Sequence, residues 1–283
     1  MARPVLAPPA AIVQRDVERA LAEDIGSGDV TADLLPADAR ASARVITRDA
    51  AVIAGSAWFD ACFRQLDPAV LIDWNCVDGA HVAADALLCT LQGNARALLS
   101  AERCALNFLQ TLSATATVTA QYAEAVRGTR AVILDTRKTI PGLRAAQKYA
   151  VRCGGGSNHR IGLYDAILIK ENHIAAAGSL THAVRAARAK HPQLLLEVEV
   201  ENFDELREAL AASVDRVLLD EFPLADIHRA VAEAAGRVQL EVSGGVGLDG
   251  LRALAQTGVD FISIGALTKH VRAIDLSMRV AVS

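Results

Sequence analysis

Up to Gly128 the apolar and polar positions run through several short periods in turn. Val13, Val17, Ala20 and Leu21 recur at helical spacing and predict an amphipathic helix from Ala11 to Asp24, stopped by Gly26. Residues 1–10 before it are expected to fray, and the turn-rich GSGDVTADLLP after it, with Asp29 and Thr31, reads as a solvated linker. Strand patterns over Ala43 to Ile53 and Val70 to Val77 flank a helix from Ser56 to Gln65, and Val82 with LLCTLQG continues them. Strands with one short helix and no βα alternation predict a small α+β layer. From Asn94 to Gly128 the spacing is helical, which predicts two helices with a break near Ser113.

Beyond Gly128 the pattern alternates. Strands are predicted at 131–135, 165–170, 194–200, 216–220, 238–243 and 261–265, and helices at 142–151, 179–190, 203–212, 224–235 and 248–257. Repeated βα units of this kind imply a parallel sheet with right-handed crossovers, closed or nearly closed as a barrel. Six such strands fall short of the eight in a complete barrel. The division expected is 1–112, 113–268, and a tail over 269–283 that packs back on the first domain or on the barrel as a last helix or strand.

Composition changes this picture only by exclusion. The 283 residues are 52% hydrophobic, ample for a closed core. A net charge of −4 gives no global basic field, so nucleic acid is not an expected partner and anionic ligands must be drawn by a local cluster. Five scattered cysteines without CxxC spacing fit reduced thiols in a cytosolic protein and disfavour zinc or a disulfide framework. Prolines interrupt the first residues where a signal peptide needs an apolar run, and no stretch reaches the ~18 apolar residues of a membrane span.

The chemistry lies at the strand ends, because residues just past the C-terminal ends of parallel strands converge on one face. Those ends read Asp135-Thr136-Arg137-Lys138, Lys170-Glu171-Asn172-His173, Glu199 with Glu201, Asp220-Glu221, Ser243-Gly244-Gly245 and Ile264-Gly265-Ala266. One charged terminus is an ordinary solvated strand end; a series of them is not. With His159 and Arg160 on the connection between the first two strands, the cations Arg137, Lys138 and Lys170 imply a ligand with several negative charges. Lys170 stands out, since a buried amine at the end of an apolar strand costs several kcal/mol unless an anion faces it. Glu199 and Asp220 could bind sugar hydroxyls or hold Mg²⁺ with substrate phosphates, or could simply pair with Lys170 or Arg160. Glu197 reads as a buried partner, Glu201 as a helix-start residue, and Asn172 with His173 as a helix cap or a brace for the site. Small-residue turns on the last two strands let backbone N–H groups approach a monophosphate, although taken alone each is only a tight turn.

Residues 135–174, DTRKTIPGLRAAQKYAVRCGGGSNHRIGLYDAILIKENHI, resemble the core signature of the quinolinate phosphoribosyltransferase family, and the likeness extends over nearly the whole chain. The resemblance implies an open or incomplete α/β barrel behind an N-terminal α+β sandwich domain. It implies transfer of a phosphoribosyl group from 5-phosphoribosyl 1-pyrophosphate to quinolinate, with Mg²⁺, giving nicotinate mononucleotide, pyrophosphate and CO₂ in NAD biosynthesis. By the same resemblance Lys138, Lys170, Glu199 and Asp220 are catalytic, and Glu199 and Asp220 hold the metal. Arg103, Thr136, Arg137, Lys138, His159, Arg160 and Lys170 then serve the substrates, and Ser243, Gly244, Gly245, Ile264, Gly265 and Ala266 bind the sugar phosphate. Arg103, in the run ERCALNFLQ, would reach across a homodimer interface; such dimers can assemble further as a hexamer of dimers. By itself Arg103 reads as a solvated helix position paired with a glutamate. SATAT, GALTKH and LDE stand where the family usually has SGIAT, GALTHS and LDN. A Schiff-base lyase using Lys170, a non-catalytic sugar-phosphate sensor, and same-fold relatives acting on nicotinate or encoded with molybdate transport genes remain as alternatives.

Overall fold

The computed structural model describes residues 8–282. The arm expected to fray lies outside the described residues up to position 7, and Ala10 already begins the first helix. In chain order the elements are α1 (Ala10–Ile25), β1 (Arg40–Thr47), β2 (Ala51–Val52), α2 (Ser56–Leu66), β3 (Leu71–Trp74), β4 (His81–Val82), β5 (Leu87–Asn94) and α3 (Ala95–Ala125). They continue with β6 (Val132–Leu134), α4 (Arg144–Cys153), β7 (Ile167–Ile169), α5 (Glu171–Ala177), α6 (Leu180–Lys190), β8 (Leu196–Val200), α7 (Phe203–Ala211) and β9 (Arg216–Asp220). The last are α8 (Leu224–Ala234), β10 (Gln239–Ser243), α9 (Leu251–Gln256), β11 (Phe261–Ser263), α10 (Ala266–Lys269) and β12 (Leu276–Val282).

Two compact units interleave along the chain. The first holds residues up to 120, Thr139–Gly155 and those from Leu267 on; the second holds Gln121–Lys138 and Gly156–Ala266. In the first unit an antiparallel sheet runs β12-β1-β5-β3, with β2 and β4 paired separately. Alternate residues of β1, Ala41, Ala43 and Val45, face the core while Arg40, Ser42 and Arg44 face out. The tail contributes β12, antiparallel to β1 from Thr47↔Leu276 to Ala41↔Val282. The helix α4 belongs here because its buried face, Ala146, Tyr149, Ala150 and Cys153, joins the cluster around Trp58, with the Trp58 and Tyr149 rings 5.7 Å apart.

Two expectations for this unit are corrected. The strand predicted from Ala43 to Ile53 is broken after Thr47, whose hydroxyl accepts the Asp49 N–H at 3.2 Å and donates to the Asp49 carbonyl at 2.7 Å, a local turn that outcompetes the ladder. The two helices predicted around Ser113 are one helix of 31 residues. Its hydroxyls do not interrupt it, because Thr117 and Thr119 each donate to the carbonyl four residues back at 2.7 Å, while Ser113 bonds to the Ala54 backbone.

The second unit is a parallel sheet of six strands in the order β6-β11-β10-β9-β8-β7. First and last strands pair while first and second do not, so the sheet is an open α/β barrel with its seam between β6 and β7. Its strands are nearly solid apolar runs: Val198, Val200, Val217, Leu219, Leu240, Val242 and Ile262 are all buried. One helix was expected between the second and third strands, and there are two. Gly178, at φ 84°, ends α5, and the Ser179 hydroxyl caps α6 by accepting the His182 N–H at 3.1 Å. Among the described residues no helix is long and apolar enough to cross a membrane.

Candidate active site

A cavity of about 290 Å³ opens at the C-terminal ends of the barrel strands, lined by Thr136, Arg137, Lys138, His159, Arg160, Leu168, Lys170, Glu199, Leu218, Glu241, Ser243 and Ser263. Each strand of the sheet delivers its side chains by alternation: Leu168 and Lys170 stand two apart at the end of β7, as do Glu241 and Ser243 on β10. A larger cavity of about 670 Å³ in the first unit, beside α1 and α3, mixes Asp16, Arg19, Glu23 and Asp24 with Phe108 and Leu112. Its charged groups are three carboxylates and one arginine, with no gathering of cations, so the strand-end cavity is the one suited to an anionic ligand.

Cations crowd this cavity. Burial, and the positive charge of Arg137 beside it, push the Arg160 guanidinium down from its ordinary range. Glu197 and Asp165 act in the opposite sense on Arg160, but two guanidiniums side by side at a cavity still suit an anion that both can fork onto. Lys170 carries a different surprise: its side chain is 42% exposed, so the expected buried amine is a partly solvated one. The anion facing it belongs to the protein, Glu199 Oε2 at 2.5 Å from Nζ. Lys170 N–H also donates to His173 Nδ1 at 3.0 Å, so His173 braces the start of α5 as expected.

The small-residue turns sit at the neighbouring strand ends. Gly265 passes under Lys138: a Cβ there would meet Lys138 Cδ at 3.1 Å and lie 3.8 Å from both Lys138 Nζ and Thr136 Oγ1. Lys138 therefore runs alongside the turn assigned to phosphate. Gly244, at φ +102°, packs on Glu221, whose Cγ and backbone N lie 2.7 Å and 3.0 Å from where a Cβ would be. Glu221 itself holds the left-handed conformation, φ 55°. Asp220 ends β9 half-buried, in register with Ser243 and on the face of Leu218. Ile264 does not face the cavity: its side chain is buried in the core and its N–H donates to Leu134 O at 2.9 Å, so it only carries the turn at Gly265 and Ala266. Arg103 is exposed on α3 of the first unit, four residues before the equally exposed Asn107, and does not line this cavity.

Beneath the rim lies a charged layer in which Glu197 is the buried partner expected, while Glu241 and Arg216 were not anticipated. Glu241 and Glu197 are fully buried. Arg216 reaches Glu241 Oε2 at 3.2 Å and stacks 4.0 Å above the Phe261 ring. His159 Nε2 lies 2.9 Å from Glu197 Oε2 and 3.6 Å from Glu241 Oε1. The signal was available: in a strand, the residue two before an inward strand-end group faces the same interior. Glu197 precedes Glu199 in this way, Glu241 precedes Ser243, and Leu218 precedes Asp220.

Burial, with the Glu197 carboxylate next to it, pushes the Glu241 carboxyl up to about 7. Its folded value thus exceeds its unfolded one of about 4.3, so the fold binds this proton more tightly than the unfolded chain does. The associated stabilisation is complete below the unfolded value and is lost as pH rises toward 7. Glu241→Gln, neutral at every pH, should gain melting temperature relative to the parent progressively between pH 5 and pH 8. A difference that stays constant over that range, read by thermal melts, would mean that Glu241 ionises as an ordinary carboxylate.

Comparison with known proteins adds to this geometry. Residues 29–113 match the family model described as quinolinate phosphoribosyl transferase, N-terminal domain, and residues 115–279 match the C-terminal domain. The chain is 44% identical over 272 residues to the nicotinate-nucleotide pyrophosphorylase [carboxylating] of Mycobacterium leprae, covering 93% of this chain and 95% of that protein. The solved structure of nicotinate-nucleotide pyrophosphorylase from Francisella tularensis is 49% identical, with a TM-score of 0.95, and the match covers 99% of this chain and 100% of that one. That of NadC from Streptococcus pyogenes is 37% identical, also at a TM-score of 0.95, covering 98% and 99%.

Proposed function

The chain belongs to the quinolinate phosphoribosyltransferase family, and from that premise we infer that it joins quinolinate to the phosphoribosyl group of 5-phosphoribosyl 1-pyrophosphate. Pyrophosphate and CO₂ leave, and nicotinate mononucleotide remains for NAD biosynthesis. The observation that carries this reading is the convergence of Arg137, Lys138, Arg160 and Lys170 on one small cavity bordered by two glycine turns. A pyridine dicarboxylate and a sugar bearing a phosphate and a pyrophosphate supply the negative charge that such a cavity needs.

Each residue then has a physical task. Arg137 and Arg160 fork onto the two carboxylates, and Lys170 adds a compact charge, which fixes the pyridine nitrogen opposite the anomeric carbon. The turns at Ser243-Gly244-Gly245 and Gly265-Ala266 take the 5-phosphate on backbone N–H groups, with Lys138 beside them. As the anomeric C–O bond lengthens, the ring acquires oxocarbenium character and the leaving pyrophosphate gains charge, which the fixed cations stabilise without having to reorganise. Once the pyridine nitrogen is bonded to the sugar, the ring cation accepts the electron pair left by CO₂, and that carbon then takes up a proton.

Glu199 and Asp220 lie on neighbouring strands and face the same interior, and hard carboxylate oxygens of this kind suit Mg²⁺, which binds one or two carboxylates together with substrate phosphates. They would hold it, and it would neutralise pyrophosphate charge. We further propose a homodimer in which Arg103 of one copy completes the cavity of the other; its exposure on α3 supports this. Five free cysteines fit a reducing cytoplasm. Incubation with quinolinate, 5-phosphoribosyl 1-pyrophosphate and Mg²⁺ should yield nicotinate mononucleotide by mass spectrometry, with CO₂ released in equal amount. Product formed from nicotinate, and none from quinolinate, would replace this acceptor with its monocarboxylate relative.

A further inference from the structure

The barrel is open between β6 and β7, and the chain closes that seam with a segment that is neither helix nor a full strand. Ser157 bridges in parallel to Leu134. Its N–H donates to Ile133 O at 2.8 Å and its carbonyl accepts the Asp135 N–H at 3.1 Å. Asp135, fully buried, accepts the Asn158 side-chain amide at 2.6 Å and the His159 backbone N–H at 2.9 Å. On the other side, the Arg160 guanidinium donates to Ala166 O at 3.3 Å, just ahead of β7. Residues 157–160 are thereby tied to both free edges of the sheet.

The ring of His159 completes this attachment from below. Its Nδ1 accepts the Arg160 N–H at 2.7 Å, which leaves the proton on Nε2. That Nε2–H faces Glu197 and Glu241, at 2.9 Å and 3.6 Å, bent from straight hydrogen-bond geometry. Both Glu197 oxygens and Glu241 Oε1 are buried, and this N–H points at them alongside Arg216, which reaches the other Glu241 oxygen at 3.2 Å. Both ring nitrogens thus face groups of the protein itself. Burial and Arg137 oppose the Arg160 charge while Glu197 and Asp165 favour it, so its place in the cavity depends on how the segment that carries it is held.

We propose that His159 is a positioning residue: Glu197 and Glu241 hold its ring from the barrel interior, and the ring holds residues 157–160 in the seam with Arg160 aimed into the cavity. What Arg160 then grips rests on the function proposed above. The test uses the full chain and two variants. His159→Gln keeps an amide N–H near the position of Nε2 but not the Nδ1 acceptor, and His159→Phe keeps the ring volume with neither. Hydrogen exchange of the Ser157 and His159-position amides, measured without substrate, should rise at least about tenfold in the Phe variant and by clearly less in the Gln variant, which keeps one of the two ring contacts. ¹⁵N chemical shifts should show His159 as the Nε2–H tautomer.

With substrates, the Phe variant should raise the quinolinate KM about tenfold or more, with the pyrophosphate-donor KM unchanged, while the Gln variant stays within about threefold. Combining His159→Phe with Glu197→Gln should add nothing to the loss, since both act through one contact. An Nδ1–H tautomer, exchange unaltered in the Phe variant, or a Gln variant as damaged as the Phe one would overturn the proposal. Absence of any turnover with quinolinate in the parent would instead overturn the assigned activity, and the exchange and tautomer results would still decide the role of His159.

Discussion

Lys170→Ala is expected to lower kcat by about a thousandfold or more, equivalent to roughly 4 kcal/mol of transition-state stabilisation, with both substrates saturating. The expectation follows from where the charge sits. Lys170 Nζ is held at the cavity by a fixed partner, Glu199 Oε2 at 2.5 Å, at the end of the strand adjoining the seam. Losing it removes a cation from the ligand and also leaves Glu199 as an uncompensated negative charge facing dicarboxylate and pyrophosphate, so two electrostatic penalties act in the same direction. The fold should not follow. The lysine side chain is 42% exposed, and partly solvated ion pairs contribute little to stability, so melting should shift by only a few degrees at most. That separation makes the outcome readable: single-turnover kinetics with a thermal melt on the same sample. Activity within about tenfold of the parent would remove Lys170 from the chemistry and return it to a structural pair with Glu199.

The same pair illustrates how much was legible before any coordinates. Strand periodicity placed the barrel, and β9 falls at the predicted residues, because a two-sided buried strand is a short apolar run bounded by turns. The rim residues Arg137, Lys138, Lys170, Glu199 and Ser243 were found by one rule, that strand ends converge. Of the layer beneath only Glu197 was read, as a buried partner, although Leu218 and Glu241 obey the same alternation one step before their strand ends. What remained out of reach has long-range causes. No local pattern says that α4 packs on Trp58 in the first unit, since its apolar face would suit a barrel helix equally well. Nor could it show that Ser113 would be satisfied by Ala54, some sixty residues away in sequence, and so leave α3 unbroken. The seam segment 157–160 has neither strand nor helix periodicity; only the pairing of Leu134 with Ser157 reveals what SNHR does.

Gly244→Ala should be the second severe lesion, raising the KM for 5-phosphoribosyl 1-pyrophosphate about a hundredfold while quinolinate binding, measured by calorimetry without the donor, changes less than about threefold. Two constraints meet at this position. A backbone at φ +102° is one that L side chains rarely adopt, and the added Cβ would lie 2.7 Å from Glu221 Cγ and 3.0 Å from its backbone N. The side chain could swing aside, but the backbone N is fixed by its bond to Ser243 O at 3.1 Å, so the turn itself must shift. A turn that binds phosphate through N–H groups works only while those groups converge, and a displacement on the order of 1 Å is enough to cost two orders of magnitude. Gly245 supplies the control. Its φ of +57° lies in the ordinary left-handed region and a Cβ there meets nothing within 4 Å, so Gly245→Ala carries about 1–2 kcal/mol of backbone strain without a collision. It should therefore cost far less donor affinity than its neighbour. Equal losses at the two glycines would mean that flexibility, and not the shape of the turn, matters here; a loss confined to quinolinate would move the phosphate site elsewhere on the rim.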